Sequence, residues 1–277
     1  MVTKKVWFIT GASKGMGLEI TKAILNNGDK VIATSRNPKN MLEKLGGNLI
    51  DLLALDLDVT NEQDVKEAIN IGCHHFGRID VVVNNAGYNL LGNIEELSDA
   101  EFRKTMDVNL FGMANVIRHV LPYLRSQKSG HIINTSSMMG YIGYAGNGSY
   151  NASKFAVIGM SEALAQELAP FGINVTILAP GTFRTSFMSE DSLSIAKNAI
   201  EGYNLEKQVE IFRSYDGMQL GDPKKLAQVL LKISKMSSPP VHLPLGSDSF
   251  NAIKESRERE REELEKWKQL SLQTDFK

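Results

Sequence analysis

The sequence of 277 residues is poor in three features that mark special classes of protein. It has a single cysteine, Cys73, so no internal disulfide can form, and the composition fits a reducing compartment. No apolar run approaches the ~18 residues of a membrane span, and the apolar run at the N-terminus is too short for a signal peptide. Lys+Arg total 31 and Asp+Glu total 32, which leaves a net charge of -1 and no basic stripe for nucleic acid. We therefore expect a cytoplasmic protein that binds neither membranes nor nucleic acid.

Metal ligands are also poorly arranged. The chain has five histidines. His74 and His75 are adjacent, so a helix would point them in different directions, and no histidine pair is spaced four residues apart. We therefore expect no metal site.

What the chain has in abundance is alternation between apolar strands and helical segments. Near-continuous apolar strands with helices between them are typical of a parallel sheet covered on both faces. No linker divides the chain, so we predict an α/β protein: a single doubly wound domain with about seven parallel strands, helices on both faces and a C-terminal helical extension. The predicted strands are 5–10, 30–35, 49–57, 80–84, 131–136, 173–178 and 239–246, and the predicted helices are 18–26, 61–75, 98–127, 151–169, 223–236 and 249–270.

We divide this predicted fold at residue 248. Residues 1–248 form the sheet domain, and residues 249–277 form a charged C-terminal helix. Its charges are mixed in sign, which favours a solvated helix over a nucleic-acid or membrane patch. Within the domain, the helix after the third strand is capped by Asn61 or by Thr60, and the long helix after the fourth strand bends or breaks near Gly112.

A glycine-rich turn, Gly11 to Gly17, follows the first strand and leads into a helix. This arrangement aims backbone N–H groups and a helix N-terminus at a phosphate, and glycine lets the backbone approach a pyrophosphate without a Cβ clash. Strand, turn and helix open the chain in the order that dinucleotide binding requires. The sequence therefore predicts a nucleotide site here.

The end of the second strand indicates which nucleotide is preferred. Proteins specific for NAD usually place Asp or Glu there to hold the ribose 2′-hydroxyl, but this chain has Ser35 and Arg36. A guanidinium binds phosphate through two parallel hydrogen bonds, and Lys14 adds a second positive charge from the glycine turn. We predict a preference for NADP(H) over NAD(H). A solvated loop arginine remains the alternative interpretation of Arg36.

Ser137, Tyr150 and Lys154 are the candidate chemical groups. Tyr150 and Lys154 lie four residues apart and so share one helix face, while Ser137 follows a strand. An unperturbed tyrosine has a pKa near ~10, and a neighbouring ammonium favours the phenolate and lowers that pKa. We predict an acid/base site for a carbonyl or alcohol. Taken alone, a Tyr-x-x-x-Lys pattern also fits a plain surface helix pair.

These motifs together resemble those of the short-chain dehydrogenase/reductase family in its compact single-domain form, which has a Rossmann fold. They occur in that family's order and spacing and span residues 6–185. The lid and charged tail also resemble the hydroxysteroid- and retinol-dehydrogenase-like subgroup. The matching motifs are Thr10-Gly11-x-x-x-Gly15-x-Gly17, Asn84-Asn85-Ala86-Gly87, Asn109, Ser137, Tyr150-x-x-x-Lys154 and Pro180-Gly181-x-x-x-Thr185.

The resemblance implies a role for each motif. Tyr150 is the proton donor or acceptor, Lys154 lowers its pKa and holds the nicotinamide ribose, and Ser137 steadies the substrate oxygen. Asn109, the fourth catalytic residue, binds a water that links Lys154 to solvent. The implied cofactor-binding residues are Gly11, Ser13, Lys14, Gly15, Met16, Gly17, Arg36, Asp58, Val59, Asn85, Ala86, Gly87, Tyr150, Lys154, Pro180, Gly181, Phe183 and Thr185.

The segment 182–215 departs from the regular alternation, and in the resembled family this region forms the substrate lid. Its apolar, methionine-containing character predicts a pocket for a hydrophobic carbonyl or alcohol. An alternative is that several of the candidate residues are ordinary core. The substrate residues we expect are Ser137, Met139, Tyr144 and Phe187, and the wider candidate pocket adds Asn89, Leu90, Met138, Tyr141 and Met188.

The resemblance implies an oxidoreductase that transfers a hydride between NADP(H) and a small-molecule carbonyl or alcohol substrate. The alternative is a catalytically silent NADP(H)-binding regulator, although such family members have usually lost a catalytic position. The family also commonly pairs its two long helices across a two-fold axis, here 98–127 and 151–169. The resemblance therefore implies a homodimer or homotetramer.

Overall fold

The computed structural model describes residues 4–47, 49–189 and 193–276. Residues 1–3, 48, 190–192 and 277, which fall within the predicted domain, lid and tail, lie outside the described residues. The strands are β1 (Val6–Thr10), β2 (Lys30–Ser35), β3 (Leu52–Asp56), β4 (Val81–Asn84), β5 (Leu90–Leu91), β6 (Gly130–Thr135), β7 (Ile173–Pro180), β8 (Ser194–Ile195) and β9 (His242–Leu245). The α-helices are α1 (Gly15–Asn26), α2 (Pro38–Leu45), α3 (Glu62–Phe76), α4 (Asp99–Met106), α5 (Gly112–Gln127), α6 (Gly148–Leu168), α7 (Leu205–Ser214), α8 (Pro223–Ile233) and α9 (Ser247–Ser271).

Seven of these strands form one parallel sheet in the order β3-β2-β1-β4-β6-β7-β9. In the middle of the sheet, Phe8 of β1 pairs with Ile32 of β2 on one side and with Val82 of β4 on the other. The strand order reverses between β1 and β4, and in such sheets ligands bind in the crevice outside the carboxyl ends of the strands at that point. The predicted doubly wound α/β fold with a C-terminal helix is confirmed.

Two apolar cores cover the two faces of the sheet. On one face, α3, α5 and α6 pack with residues such as Ile69, Val116 and Val157, all fully buried. On the other face, α1, α2 and α8 pack with residues such as Ile24 and Leu230. Helices therefore cover both faces of the sheet, which explains why the strands are almost uninterrupted apolar runs rather than alternating ones.

Outside the lid, the structure adds one helix that was not predicted and sharpens three boundaries. The unpredicted helix is α2, which Asn37 caps by accepting a hydrogen bond from the Asn40 N–H and which has proline at its first position. Asn61, rather than Thr60, caps α3. The break predicted near Gly112 is a π-helical turn at Asp107–Phe111 between α4 and α5. Helix α6 begins three residues before the predicted position, so it includes Tyr150 in its first turn.

The described part of the lid is tied to the sheet domain by a second, two-stranded sheet. Strand β5 pairs with β8 in parallel, so two short segments that are distant in sequence lie side by side. The C-terminal helix docks only at its beginning: Ile253 is buried, whereas residues 257–276 are all exposed. Among the described helices, we find none that is long and apolar enough to cross a membrane.

Candidate active site

The carboxyl ends of the parallel strands open into a crevice of two adjoining cavities. One has a volume of about 340 Å³ and is lined by residues that follow β2 and β3. The other has a volume of about 170 Å³ and is lined by residues that follow β6 and β7 and by part of the lid. The two cavities share five lining residues, which makes them one continuous site: Gly11, Lys14, Ala86, Gly87 and Tyr88.

The glycine-rich turn lies at the junction of the two cavities. Gly15, at the start of α1, has a φ of +56°, a conformation that glycine adopts without strain. A Cβ on Gly17 would lie 2.3 Å from the main-chain oxygen of Gly11, so only glycine lets α1 pack this closely on the turn. The Asn85 side chain donates to the carbonyl oxygens of Thr10 and Gly11. The turn and the segment after β4 are therefore held as one unit, with the N-terminus of α1 at the crevice.

One end of the crevice is positively charged. Arg36 and Lys14 line the larger cavity together with Ser13 and Val59, all of which are among the residues expected to bind the cofactor. Lys104 of α4 lines the same cavity and was not predicted. It reaches the site from a helix that is remote in sequence, so no local motif signals it.

Asp58 is a carboxylate that lines this positively charged end. Its carboxylate accepts hydrogen bonds from the amide and hydroxyl of Thr60, at 2.9 and 2.7 Å. These bonds hold the pKa of Asp58 below its usual value, and the charges of Arg36 and Lys104 act in the same direction. Asp58 is therefore ionised, but three cations, Lys14, Arg36 and Lys104, line the same cavity, so positive charge dominates this end of the crevice.

The three chemical groups come together in the smaller cavity. Ser137, Tyr150 and Lys154 all line it, and all three are buried. The Lys154 Nζ lies 5.5 Å from the centroid of the Tyr150 ring and donates to the carbonyl oxygen of Thr135 at 2.9 Å. The expected shared helix face is therefore observed, and the interpretation as a surface helix pair does not fit because both side chains are buried.

The pKa of Tyr150 moves in the direction opposite to the one expected. Burial raises it to about 12, although hydrogen bonding by Ser137 opposes part of this rise. Burial also lowers the pKa of Lys154 to about 8. The sequence argument considered the attraction between the two groups but not the loss of solvation, which dominates for side chains this deeply buried.

Asn109 lies beneath the crevice rather than in its wall. Its Oδ1 accepts from the main-chain N–H of Tyr88, and its Nδ2 donates to the main-chain oxygen of Tyr88 and to Ser153 Oγ. The side chain is thus fully engaged in holding the segment after β4. The sequence analysis did not predict these hydrogen bonds of Asn109 with Tyr88 and Ser153, because the partners are distant along the chain.

The segment after β7 closes the other side of the smaller cavity. Pro180, Gly181, Phe183 and Thr185 all line it, as does Met16 of α1. Asp248, at the start of α9, accepts hydrogen bonds from the main-chain N–H and the hydroxyl of Thr182, both at 2.7 Å. The C-terminal helix therefore fixes the loop that follows β7, a role that the sequence did not indicate.

The predicted substrate residues divide into two groups. Met139 and Phe187 line the smaller cavity, together with Met138, Met188 and Asn89 of the wider list. Tyr144 instead lines a separate open groove with Ile94 and Tyr203, and Tyr141 packs in a side cluster and hydrogen-bonds His242. Leu90 is buried in β5. Lining residues that the sequence did not indicate are Tyr88, Thr135, Ser136, Thr182 and Phe212.

The side chains that could bind a metal ion are scattered in the part of the chain that the structure describes. Within residues 4–47, 49–189 and 193–276, no group of three or more His, Cys, Asp or Glu side chains could hold a metal ion. The cavity residues are instead hydroxyl, amide, ammonium and apolar groups.

Comparison with known proteins decides the family. The family model described as short chain dehydrogenase matches residues 5–195, which is more than half of the chain. The chain belongs to the short-chain dehydrogenase/reductase family. It is 42% identical over 275 residues to Oxidoreductase BOA17 of Botryotinia fuckeliana (strain B05.10), covering 97% of this chain and 98% of that protein. The resemblance predicted from the motifs is confirmed, and with it the class of oxidoreductases.

Solved structures of this family match the whole fold. A short-chain dehydrogenase from Streptomyces avermitilis is 34% identical, with a TM-score of 0.91 over 99% of this chain and 100% of that one. ElxO with NADP bound is 28% identical, with a TM-score of 0.75 over 90% of this chain and 100% of that one. The 3-ketoacyl-(acyl-carrier-protein) reductase from Brucella melitensis, complexed with NADH, is 28% identical, with a TM-score of 0.71 over 87% of this chain and 96% of that one. Members of the family thus bind either nucleotide.

The crevice fits a nicotinamide dinucleotide. The crevice runs from a cationic end to the cavity that contains Tyr150, and the glycine-rich turn lies between them. At Gly17 of this turn there is no room for a Cβ. The chemistry of the lining changes along the crevice, from Arg36 and Lys14 at one end to apolar and hydroxyl groups at the other. This order matches the phosphate, ribose and nicotinamide parts of the cofactor.

Proposed function

We propose that the protein is an NADP(H)-dependent reductase of a hydrophobic ketone or aldehyde, acting reversibly on the corresponding alcohol, with Tyr150 as the proton donor and acceptor. The observation that carries this proposal is the shared cavity of Ser137, Tyr150 and Lys154, which is continuous with the glycine turn. A bound nicotinamide cofactor supplies the hydride; the protein supplies placement and the proton.

The protonation states of Tyr150 and Lys154 at neutral pH are those that proton donation to a carbonyl requires. With a pKa of about 12, Tyr150 is protonated at neutral pH and so can donate its proton to the substrate oxygen. With a pKa of about 8, Lys154 carries its positive charge at neutral pH. That charge stabilises the phenolate that remains once Tyr150 has given up its proton, since a phenolate in a buried site needs a nearby cation.

Ser137 and Asn109 support this step in different ways. The Ser137 hydroxyl, beside Tyr150 in the cavity, hydrogen-bonds the substrate oxygen and orients it. Asn109 holds the main chain of Tyr88 on both its N–H and its carbonyl, so its side chain is a positioning group. We therefore propose no water-binding role for the Asn109 side chain, because its Oδ1 and Nδ2 are already hydrogen-bonded within the protein.

The cofactor roles that the family resemblance implies fit the order of groups along the crevice. The turn from Gly11 to Gly17 and the N-terminus of α1 hold the pyrophosphate, with Ser13 and Met16 in the same turn. Asp58 and Val59 meet the adenine, and Asn85-Ala86-Gly87 line its ribose side. Arg36 and Lys14, joined by Lys104, bind the 2′-phosphate and give the preference for NADP(H) over NAD(H). Pro180, Gly181, Phe183 and Thr185 hold the nicotinamide.

The substrate occupies the remainder of the smaller cavity. Its wall is mostly apolar, with Met138, Met139, Phe187, Met188 and Phe212, which favours a hydrophobic compound. Methionine side chains adapt to irregular ligand shapes. Tyr144 takes no part in this proposal, because it lines a different groove.

We also propose a cytoplasmic homodimer or homotetramer paired through α4, α5 and α6. Phe111, in the π-helical turn between α4 and α5, is 54% exposed and Phe155 of α6 is 45% exposed, which favours their burial against a second copy. The free, buried Cys73 fits a reducing compartment. Light scattering coupled to gel filtration tests the assembly: Phe155→Glu should lower the measured mass to that of the monomer, and a wild-type protein already monomeric would contradict the pairing.

The experiment that tests the function is an NADPH-oxidation screen against steroid, retinoid, fatty and small aromatic ketones and aldehydes. NADH serves as the paired control. We expect turnover of at least one hydrophobic carbonyl, faster with NADPH. If the protein binds NADPH but turns over nothing in the panel, the proposal fails and the catalytically silent regulator becomes the better account; a partner that is captured only with NADPH would then support it.

A further inference from the structure

Asn151 is a buried polar residue that directly follows Tyr150 in α6. It does not line either cavity of the crevice. Its side chain is instead hydrogen-bonded to the loop 138–147, which leads from Ser137 to the start of α6. The site described above gives this side chain no task.

Three hydrogen bonds join Asn151 to the main chain of this loop. Its Nδ2 donates to the carbonyl oxygens of Met139 and Ile142 at 2.6 and 2.8 Å, and its Oδ1 accepts from the Tyr144 N–H at 3.1 Å. Both amide hydrogens and the amide oxygen of Asn151 are therefore in use. Apart from a short 3-10 turn at Met138–Gly140, the loop has no helix of its own, so these bonds satisfy main-chain groups that regular structure would otherwise pair.

The loop that Asn151 holds forms one wall of the substrate cavity. Met138 and Met139 line this cavity together with Tyr150. Because the carbonyl oxygen of Met139 is bonded to the residue next to Tyr150, a single side chain fixes the methionine wall relative to the phenol that supplies the proton.

The main chain at Ser137 is held independently of Asn151. The preceding residue, Ser136, donates its N–H to the main-chain oxygen of Leu178 in β7 and its hydroxyl to the main-chain oxygen of Lys154. Loss of the Asn151 bonds should therefore move the methionine wall and leave the main chain at Ser137 in place.

Close packing at Gly140 limits how far the wall can move. A Cβ on Gly140 would lie 2.7 Å from the main-chain oxygen of Lys154, so the loop touches α6 there with no side chain between them. Without Asn151, the wall should therefore shift slightly rather than come away from α6. A misplacement of about 1 Å at a reacting site can lower the rate by about 100-fold.

We propose that Asn151 is a positioning residue, which sets the distance between Tyr150 and the methionine wall and so determines the size of carbonyl compound that is reduced well. This inference rests on the proposed reductase function. Asn151 touches neither reacting group: the carbonyl carbon gains the hydride, the carbonyl oxygen gains the Tyr150 proton, and no bond changes at Asn151.

Two methyl ketones that differ by one fused ring test the inference. We would measure kcat and KM at saturating NADPH for acetophenone and 2-acetylnaphthalene. In Asn151→Leu, kcat/KM for acetophenone should fall by about 10- to 100-fold, because a compact ketone needs the displaced wall to hold it against Tyr150. For 2-acetylnaphthalene it should change by less than about 3-fold, since the larger ring system can also contact Phe187 and Phe212, which Asn151 does not hold. If the wild-type protein reduces neither ketone, the best ketone of the wider panel and its analogue with one more fused ring take their place.

Tyr141→Phe is the matched control on the same loop. It removes the hydroxyl that is hydrogen-bonded to His242 Nδ1 at 2.7 Å, and Tyr141 does not line the cavity. The ratio of the two kcat/KM values should stay within about 2-fold of the wild-type ratio. Amide hydrogen exchange gives a readout besides activity: the Tyr144 N–H should exchange faster in Asn151→Leu and at the wild-type rate in Tyr141→Phe. Asn151→Ala, which removes the same bonds with a smaller side chain, is the second variant.

The outcomes distinguish the two levels of the proposal. A ratio within about 2-fold of the wild-type ratio in both Asn151 variants overturns the positioning role and leaves the reductase intact. Two Asn151 variants that fail to fold in thermal melting also overturn it, because Asn151 then serves stability alone. No NADPH oxidation by the wild-type protein with any carbonyl of this pair or of the wider panel overturns the reductase function, and the role of Asn151 with it.

Discussion

The two ends of the crevice are built by different means. At the nucleotide end, the residues follow β1, β2 and β4, whose backbones are paired on both sides within the sheet, and the edge strand β3. At the substrate end, the described lid residues are attached through the short pairing of β5 with β8, through an isolated bridge between Phe183 and Gly221, and through side chains. The first end depends on a paired sheet between two large apolar cores, whereas the second depends on a small apolar cluster of Leu91, Ala196, Leu205 and Val209 and on a few polar contacts.

Carboxylates from the segment between β5 and α4 and from the first turn of α4 make the most specific of these lid contacts. Glu96, which is fully buried, accepts from the main-chain N–H of Ile200 at 3.0 Å, and Glu101 accepts from that of Lys197 at 3.2 Å. The exposed Glu95 accepts from the hydroxyl of Tyr203. Burial raises the pKa of Glu96, but its hydrogen bonds with Ile200 and Asn93 outweigh burial, so the pKa lies below its usual value.

Because of this difference, we expect that the lid can open and substrate binding can be lost while nucleotide binding is kept. Regions with few buried apolar contacts open locally at a lower free energy than a packed core. Damage to the sheet should therefore affect folding as a whole, whereas damage to the lid anchors should affect substrate binding alone. Four substitutions test this separation, beginning with one at Lys154.

Lys154→Met should have the largest effect. It removes the ammonium that stabilises the Tyr150 phenolate, so kcat for carbonyl reduction should fall by about 10³-fold. In the wild-type protein, kcat should fall as pH rises through about 8, because Lys154 loses its charge there. Steady-state kinetics from pH 6 to 10 measures both effects. The control is Lys232→Met, which removes an exposed lysine of α8 and should leave kcat within about 2-fold.

His131→Gln tests the packed sheet. The Thr176 hydroxyl donates to the Pro240 carbonyl, so His131 Nε2 carries its hydrogen and donates to Thr176. Burial lowers the pKa of His131 to about 4, with Lys5 acting in the same direction. Between about pH 6.5 and 4 the unfolded chain therefore binds more protons than the folded one, and the free energy of unfolding should drop by at most about 3 kcal/mol as pH falls.

Denaturant unfolding at pH 7 and pH 4.5 measures this loss. The His131→Gln variant should lose less stability over the interval than the wild-type protein, and its melting should remain one cooperative transition. If both proteins lose stability equally, the buried neutral histidine is not the acid-sensitive group of the sheet.

Arg36→Leu tests the nucleotide end. Removing the guanidinium should weaken NADPH binding by about 10- to 100-fold and leave NADH binding nearly unchanged, because only NADPH carries the 2′-phosphate. Fluorescence titration with each nucleotide gives the two dissociation constants. Lys39→Leu, which removes an exposed charge from α2 outside the crevice, is the matched control. Equal losses for both nucleotides in Arg36→Leu would contradict the assignment of the 2′-phosphate site.

Glu96→Gln tests the lid and should have the smallest effect of the four. An amide nitrogen would replace one of two carboxylate oxygens that both accept hydrogen bonds, so the lid should open more often and substrate KM should rise by about 10-fold. NADPH affinity and the melting temperature should change little. Glu95→Gln, at the exposed contact, should change KM by less than about 2-fold. A loss of NADPH affinity in Glu96→Gln would contradict the separation of the two ends.

The sheet could be predicted from the sequence far better than the lid. The sheet was predictable because its apolar runs and glycine turn are local signals, and even the unpredicted α2 carries one, with proline directly after the capping Asn37. The lid was not predictable in detail, since β5 and β8 form only by pairing across about a hundred residues, and Tyr144 lies in another groove. The rise in the pKa of Tyr150 was missed because burial is a property of the fold.

Carbonyl reduction by Tyr150→Phe is the most direct test of the central claim, that a buried phenol beside Lys154 supplies the proton. Rate and NADPH affinity should be measured on the same preparation. The account predicts a loss of kcat of at least about 10³-fold, with the NADPH dissociation constant and the melting temperature close to those of the wild-type protein. A variant that retains full turnover would contradict the claim, and the proton would have to come from another group.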